Sequence, residues 1–136
     1  MKKLLATILA LVMALGLCSV SWAADESYYA EIGSEKFETL QAAVNEVEDG
    51  KETTIKLIDN ISNLSTDAIV TIPAGKVIVL DMNDHSITVS TDFTGRPIVN
   101  SGTLTVRGNG TIDSSASETG GYGAINNMGT LHIIDG

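Results

Sequence analysis

Residues 98–106 read IVNSGTLTV and residues 125–133 read INNMGTLHI, so one nine-residue segment occurs twice in similar form. At its end, two apolar residues flank one other residue, and this apolar step also occurs upstream. The four steps begin at Ile55, Ile78, Leu104 and Leu131, so every spacing between successive steps lies in the twenties. A period of this length that is carried by short β-type steps is typical of a solenoid.

The repeat predicts columns of aliphatic side chains inside the solenoid, because alternate residues of a strand point to the same face. The first predicted column pairs Ile55, Ile78, Leu104 and Leu131 with Leu57, Leu80, Val106 and Ile133 two residues on. The second contains Leu64, Ile87 and Ile112, and the third contains Ile69, Ile98 and Ile125. Each buried aliphatic side chain contributes about 1.5–3 kcal/mol, whereas ordering the backbone costs about 1–2 kcal/mol per residue. We therefore expect the coils to be stable only as a stack.

Polar residues also recur at the period of the coils. Asn100 and Asn127 occupy the same place in successive coils. They either hydrogen-bond amide to amide along the axis or act as independent turn-formers. Asp81 and Arg107 lie one coil apart, which predicts an ion pair on the outside worth at most about 1 kcal/mol.

Residues 1–23 are predicted to be a signal peptide. Lys2 and Lys3 precede an apolar run over residues 4–17, and Ser21-Trp22-Ala23 places small residues at −3 and −1 of a cleavage site. The alternatives are a retained membrane anchor, for which the run is slightly short, and a lipoprotein at Cys18, which lacks the small residue expected before it. We therefore predict a protein that is secreted or on the cell surface, with no membrane partner after cleavage.

The cysteine content and the net charge of the mature chain indicate what kind of protein it is and which partners it disfavours. Cleavage leaves residues 24–136, which contain no cysteine, and it changes the net charge from −9 to −11 because Lys2 and Lys3 are removed. An exported chain without disulfides points to a bacterial protein rather than to a small disulfide-rich domain. An acidic chain also disfavours nucleic acid as a partner.

Residues 24–50 are predicted to be an N-terminal cap, made of a short hairpin and a helix. Thr39 suits the N-cap of that helix, and Gly50 suits its C-terminal stop, which gives a helix over residues 40–49. Its apolar stripe is formed by Leu40, Ala43, Val44 and Val47. An amphipathic helix over the open end of the first coil would protect unpaired strand edges. The alternative is a partner-binding helix.

Two longer connections, residues 89–97 and 113–123, leave the second column and return to the third. We expect them on the same edge of the solenoid, where insertions often form a binding face. Tyr122, Phe93 and Arg96 are the candidate ligand-binding residues, with a glycan or another surface protein as the partner. The alternative is that both loops are merely tolerated insertions.

Three segments carry a family resemblance. Residues 37–44 (FETLQAAV), continuing through Gly50 to residues 54–57 (TIKL), resemble the helix and first strand of right-handed parallel β-helices of the pectate-lyase-like superfamily. Residues 79–88 (VLDMNDHSIT) are similar to the "LDLNGHTIT" coil of β-helix repeats in surface proteins of Gram-positive bacteria. Residues 100–106 (NSGTLTV) are similar to their "N-x-G-T-L-T-I" coil.

The catalytic residues implied by the enzymes of that superfamily do not appear in the sequence. Polygalacturonase-like members imply three clustered aspartates, a G-H-G and an R-x-K, and none of these strings occurs. Lyase-like members imply calcium-binding acids and an arginine base, but the mature chain has only Arg96 and Arg107. Asp84-His85 aligns with the Gly-His turn of the structural repeat, and His85 and His132 are out of register. We predict no catalytic residue, no metal site and no cofactor.

The sequence therefore predicts an all-β, right-handed parallel β-helix of about three coils over residues 51–136, behind an N-terminal hairpin and capping α-helix. The expected function is that of a non-enzymatic structural or adhesion-type module. The alternative is an N-terminal fragment of a pectate-lyase-like carbohydrate-active enzyme whose catalytic coils lie beyond residue 136. We also expect truncation at the C-terminus or end-to-end self-association.

Overall fold

The computed structural model of the protein describes residues 26–118 and 123–134. The predicted signal peptide and Tyr122 lie outside the described residues. The strands are β1 (Ala30–Ile32), β2 (Glu35–Phe37), β3 (Glu52–Leu57), β4 (Ile61–Leu64), β5 (Val70–Ile72), β6 (Val77–Asp81), β7 (His85–Val89), β8 (Ile98–Asn100), β9 (Thr103–Arg107), β10 (Gly110–Asp113), β11 (Ile125–Asn127) and β12 (Thr130–Ile133). One α-helix, α1 (Leu40–Glu46), and one 3₁₀ turn (Thr66–Ala68) complete the described elements.

The strands form a parallel β-solenoid of about three turns, as predicted. Each of the three turns contributes one strand to each of three sheets, and β12 begins the next turn, so the orders are β12-β9-β6-β3, β10-β7-β4 and β11-β8-β5. All pairings between successive turns are parallel. Strands β1 and β2 extend the first sheet beyond β3 as an antiparallel hairpin.

The register of the first sheet differs from the prediction at one step. Ile55 pairs with Leu80 and Thr53 pairs with Ile78, so β6 is displaced along β3 by two positions from the predicted pairing of Ile55 with Ile78. The column over Ile78, Leu104 and Leu131 has the predicted register. A shift of two residues keeps every side chain on the same face, so the apolar pattern alone could not distinguish the two registers.

In each of the other two columns, one first-turn residue differs from the predicted one. In the second sheet Ile61 pairs with Ile87, whereas Leu64, predicted for that place, pairs with Val89. The register shifts between Ile61 and Leu64, which marks a β-bulge in β4. In the third sheet Ile98 pairs with Val70 and not with the predicted Ile69, which is only half-buried.

The inward side chains of all three sheets form one hydrophobic core. Its fully buried members include Ile55, Leu57, Ile72, Ile78, Ile87, Ile98 and Leu104. Leu40, Ala43, Val44 and Val47 join the same cluster from α1 and the residue after it. The helix therefore packs its apolar stripe onto the first coil, where it contacts β5, β1 and β2.

Burial decreases toward the last described turn. Ile133 has the predicted register opposite Val106, but it is 69% exposed. Leu131 in the same strand and Ile125 in β11 are half-buried and pack against the core. The predicted columns thus continue to β12 in register, whereas the dry interior is complete only over the preceding turns.

Helix α1 begins as predicted and ends earlier. Thr39 is the N-cap, and its hydroxyl accepts a hydrogen bond of 3.0 Å from the Ala42 N–H. The helix ends at Glu46 and not at residue 49, because Val47 turns into an extended conformation with its side chain in the core. The ammonium group of Lys76 donates to the Val47 carbonyl and lies 3.2 Å from the Asp49 carboxylate, so this end is fixed to the second turn.

The three first-turn strands, β3, β4 and β5, differ in what lies against their outer edges. Strand β1 pairs with β3 and covers its edge. At β5, the Gln41 side chain takes the place of a strand: its carbonyl oxygen accepts from the Thr71 N–H at 2.6 Å, and its amide donates to the Thr71 carbonyl at 3.0 Å. Strand β4 has no neighbouring strand on its outer side within the described residues, and it carries the bulge. Bulges and covering elements both discourage edge-to-edge association.

We expect the substitution Gln41→Ala to lower the free energy of unfolding by about 2 kcal/mol, because two hydrogen bonds to the Thr71 backbone are lost. The uncovered edge of β5 should also increase aggregation during refolding. Urea unfolding followed by circular dichroism measures the first effect and light scattering the second. Glu46→Ala, an exposed position on the same helix, is the control. Equal stability of the two variants would contradict the role given to Gln41.

Candidate functional site

Three connections between the second and third sheets lie above one another along one side of the solenoid. We call residues 65–69, 90–97 and 114–118 the loop edge. The first two are joined by the Thr66 hydroxyl, which accepts from the Thr94 N–H at 2.9 Å and lies 3.4 Å from the Thr94 hydroxyl. The next two are joined by the Glu118 N–H, which donates to the Thr91 carbonyl at 2.9 Å. The loops predicted to share an edge are thus in direct contact over their described part.

Phe93 does not present its ring to a ligand, which corrects the interpretation of this residue. Its exposed fraction is 0%, and it belongs to the hydrophobic core. The Phe93 carbonyl accepts a hydrogen bond of 2.5 Å from the Ser117 hydroxyl of the next loop. The aromatic side chain therefore anchors the loop edge, because burying a ring of this size requires the backbone of its loop to lie against the core.

Of the other two predicted ligand-binding residues, Arg96 is described by the structure and Tyr122 is not. Arg96 is half-buried and already has an interaction partner within the protein. Tyr122 lies outside the described residues. The structure therefore excludes Phe93 as an exposed ligand contact, and the ligand-binding roles of Arg96 and Tyr122 stay predictions.

The exposed groups of the loop edge are mostly hydroxyls and carboxylates. They include Thr66, Asp67, Thr91, Asp92, Thr94, Ser115 and Glu118. Sequence reasoning missed the contact between Thr66 and Thr94, although their separation of 28 residues is close to the coil period and could have indicated it. Such a surface offers many hydrogen-bonding groups, and its carboxylates make it anionic at neutral pH.

Two of the carboxylates on this side order their own loops. Asp92 accepts a hydrogen bond of 2.7 Å from the Ser90 hydroxyl. Hydrogen bonds from the side chain and from the backbone N–H of Ser115 lower the pKa of Asp113. A lowered carboxyl pKa means that this contribution to stability is present above the ordinary pKa and is lost as the pH falls through the folded value. The turn after β10 should therefore loosen only under acidic conditions.

The polar residues that recur between coils contact one another. Asn100 is fully buried, and its amide donates to the Asn127 side-chain oxygen at 2.7 Å. Of the two interpretations of these asparagines, the amide-to-amide contact is the one observed. Arg107 and Asp81 lie directly opposite in β9 and β6, with 3.3 Å between guanidinium and carboxylate. These residues stabilise the stack.

The histidines do not converge on a metal site. His85 is opposite Gly110 and His132 is opposite Thr105, in different sheets. Asp84 has a φ of +62°, and its N–H donates to the Asn109 carbonyl at 2.8 Å, so Asp84 belongs to the turn between β6 and β7. Within residues 26–118 and 123–134, no group of three or more histidine, cysteine or acidic side chains is arranged to hold a metal ion.

Comparison with protein-family models, with curated proteins and with solved structures finds no match to this chain. None of the helices in the described part of the chain has the length and apolar character needed to cross a membrane.

Proposed function

We propose that the protein is a non-enzymatic structural or adhesion-type module of a secreted or surface-exposed bacterial protein, built as a right-handed β-helix of the pectate-lyase-like kind. The observation that supports this proposal is that the polar residues which recur from coil to coil bond to one another and so serve the fold. Asn100 bonds to Asn127 and Asp81 pairs with Arg107, so these groups are engaged between coils. The exposed hydroxyls and carboxylates of the loop edge do not belong to these recurring pairs, and they lie along one side of the solenoid, as suits a surface that contacts an extended partner.

The loop edge is the proposed contact surface, and a glycan or another surface protein is the proposed partner. Sugar hydroxyls both donate and accept hydrogen bonds, and the hydroxyls of Thr66, Thr91 and Thr94 and the carboxylates of Asp92 and Glu118 can meet both needs. Tyr122 follows Glu118 by four positions in the sequence, and its aromatic ring is proposed to stack on the apolar face of a sugar.

A glycan array tests the proposal. We expect the protein to give a signal that disappears in Tyr122→Ala and persists in Tyr28→Ala, a tyrosine in the N-terminal segment before the hairpin. Loss of the signal in both variants, or in neither, would count against the loop edge as the contact surface.

Incubation with polygalacturonate and calcium tests the absence of enzymatic activity. Unsaturated product would be followed by its absorbance, and we expect none to form. Product that is lost on substituting Arg96 or Arg107 would overturn the proposal in favour of a carbohydrate-active enzyme.

A further inference from the structure

A groove of about 470 Å³ lies at the start of the solenoid, between α1 and β4. Its volume is in the range of ligand pockets. The apolar part of its lining includes Tyr29, Leu40, Ile61, Leu64, Ile69, Val70 and Ile87. Ile61, Ile69 and Tyr29 are only half-buried, so part of this apolar surface is open to solvent.

The groove adjoins the one first-turn strand whose outer side lacks a covering element within the described residues. Strand β1 covers β3, and Gln41 bonds both backbone groups of Thr71 in β5. Among the strands that the structure describes, β4 pairs with β7 alone. A free strand edge beside pockets for alternate side chains is the arrangement that binds an extended peptide by strand addition.

The charge at the groove selects the kind of peptide. Glu38 and Asp67 line it and are exposed, and the described residues of its lining include no lysine, arginine or histidine. Carboxylates at the rim of an interface attract a partner of opposite charge and repel an acidic one. The apolar lining requires aliphatic side chains at the positions that face the groove.

We propose that this groove binds an extended, basic peptide segment of a partner protein, which adds a short strand to the outer edge of β4. Aliphatic side chains of the peptide enter the groove, and its lysines or arginines face Glu38 and Asp67. The bulge between Ile61 and Leu64, where Asn63 has a φ of +58°, interrupts the regular edge and limits the pairing to a few residues.

The groove meets the loop edge at its first connection, residues 65–69, but peptide binding there is independent of the function proposed for the loop edge. It rests on the free side of β4 and on the apolar lining beneath α1. Tyr122→Ala separates the two proposals, because it should abolish the glycan signal and leave peptide binding at the groove unchanged. Loss of peptide binding in Tyr122→Ala would contradict the placement of the peptide on β4.

Titration of the isotope-labelled protein with the peptide acetyl-Lys-Val-Lys-Val-Lys-amide, followed by NMR, tests the proposal. We expect saturable shifts of the amide signals of residues 61–64. We also expect no binding of the matching peptide with glutamates in place of lysines. Glu38→Lys and Asp67→Lys should each weaken binding roughly threefold, with a smaller effect at high salt. Equal binding of both peptides, or shifts confined to other residues, would overturn the proposal.

Two further comparisons separate strand addition from simple charge attraction. Ala68→Trp should fill the groove and abolish binding, whereas Ala74→Trp, at an exposed turn outside the groove lining, should not. N-methylation of one alternate set of peptide amides should abolish binding and methylation of the other set should not, because a strand presents alternate N–H groups to each side. Equal effects of the two methylated sets would contradict strand addition. Peptide binding would also be contradicted if residues 1–25 or a second copy of the chain were found to fill the groove.

Discussion

The Gly102→Ala protein is expected to be strongly destabilised. A Cβ at Gly102 would lie 2.5 Å from the Lys76 carbonyl oxygen and 2.7 Å from the Pro73 carbonyl oxygen. Both obstacles are backbone atoms of the preceding turn of the solenoid, so no side chain can rotate away to make room. The adjacent coils must move apart instead.

That movement would break the hydrogen bonds on both sides of the glycine. The Thr103 N–H donates to the Lys76 carbonyl at 2.9 Å, and the Ser101 N–H donates to the Ile72 carbonyl at 2.9 Å. Overpacking of this kind costs about 1–3 kcal/mol in ordinary cores, and the rigid obstacle here places the expected loss at about 3 kcal/mol or more. Urea unfolding provides the measurement.

Gly123→Ala is the matched control, because Gly123 is exposed and, chain neighbours aside, a Cβ added there would have no heavy atom of the described residues within 4 Å. Its stability should equal that of the unsubstituted protein. Equal stability of the Gly102→Ala and Gly123→Ala proteins would mean that the coils are not in contact at Gly102.

Asn100→Ala is the second substitution with a large expected effect. The Asn100 side chain is fully buried and makes three hydrogen bonds. Its oxygen accepts from the Gly102 N–H at 3.1 Å, and its amide donates to the Asn127 side chain at 2.7 Å and to the Thr130 carbonyl at 2.9 Å. It thus links its own turn to the next one.

Alanine at this position would leave the Gly102 N–H without its side-chain partner and would open a cavity beneath β11. The two effects together are expected to cost about 3 kcal/mol. Asn127→Ala should cost about 1 kcal/mol, because Asn127 is exposed and Asn100 keeps its bond to Thr130. Thermal and urea unfolding of both variants give the comparison, and an equal loss in the two would show that burial of Asn100 does not matter.

Features that depend on local chemistry or on the repeat were predictable from the sequence. Thr39 is predictable as an N-cap because its hydroxyl can reach the first free N–H groups of the helix. The register between β9 and β12 followed from the two similar segments around Leu104 and Leu131. A parallel stack lets such equivalent steps bury one another at a period of this length.

Features that depend on contacts between distant residues were not predictable. The pairing of Ile55 with Leu80 could not be distinguished from a pairing with Ile78, because both place an aliphatic residue on the inner face. The burial of Phe93 depends on how its loop folds back onto the core, and residues 89–97 carry no period that would indicate it. The bonds from Gln41 to Thr71 join residues 30 positions apart.

Scalar couplings across hydrogen bonds, measured by NMR, test the parallel stack of coils most directly. We expect a coupling between the amide nitrogen of Thr103 and the carbonyl carbon of Lys76, and another between the amide nitrogen of Thr130 and the carbonyl carbon of Gly102. Each coupling joins one turn to the next at a separation close to the repeat. Couplings from Thr103 and Thr130 to carbonyls of sequence-adjacent strands, as in antiparallel hairpins, would contradict the solenoid.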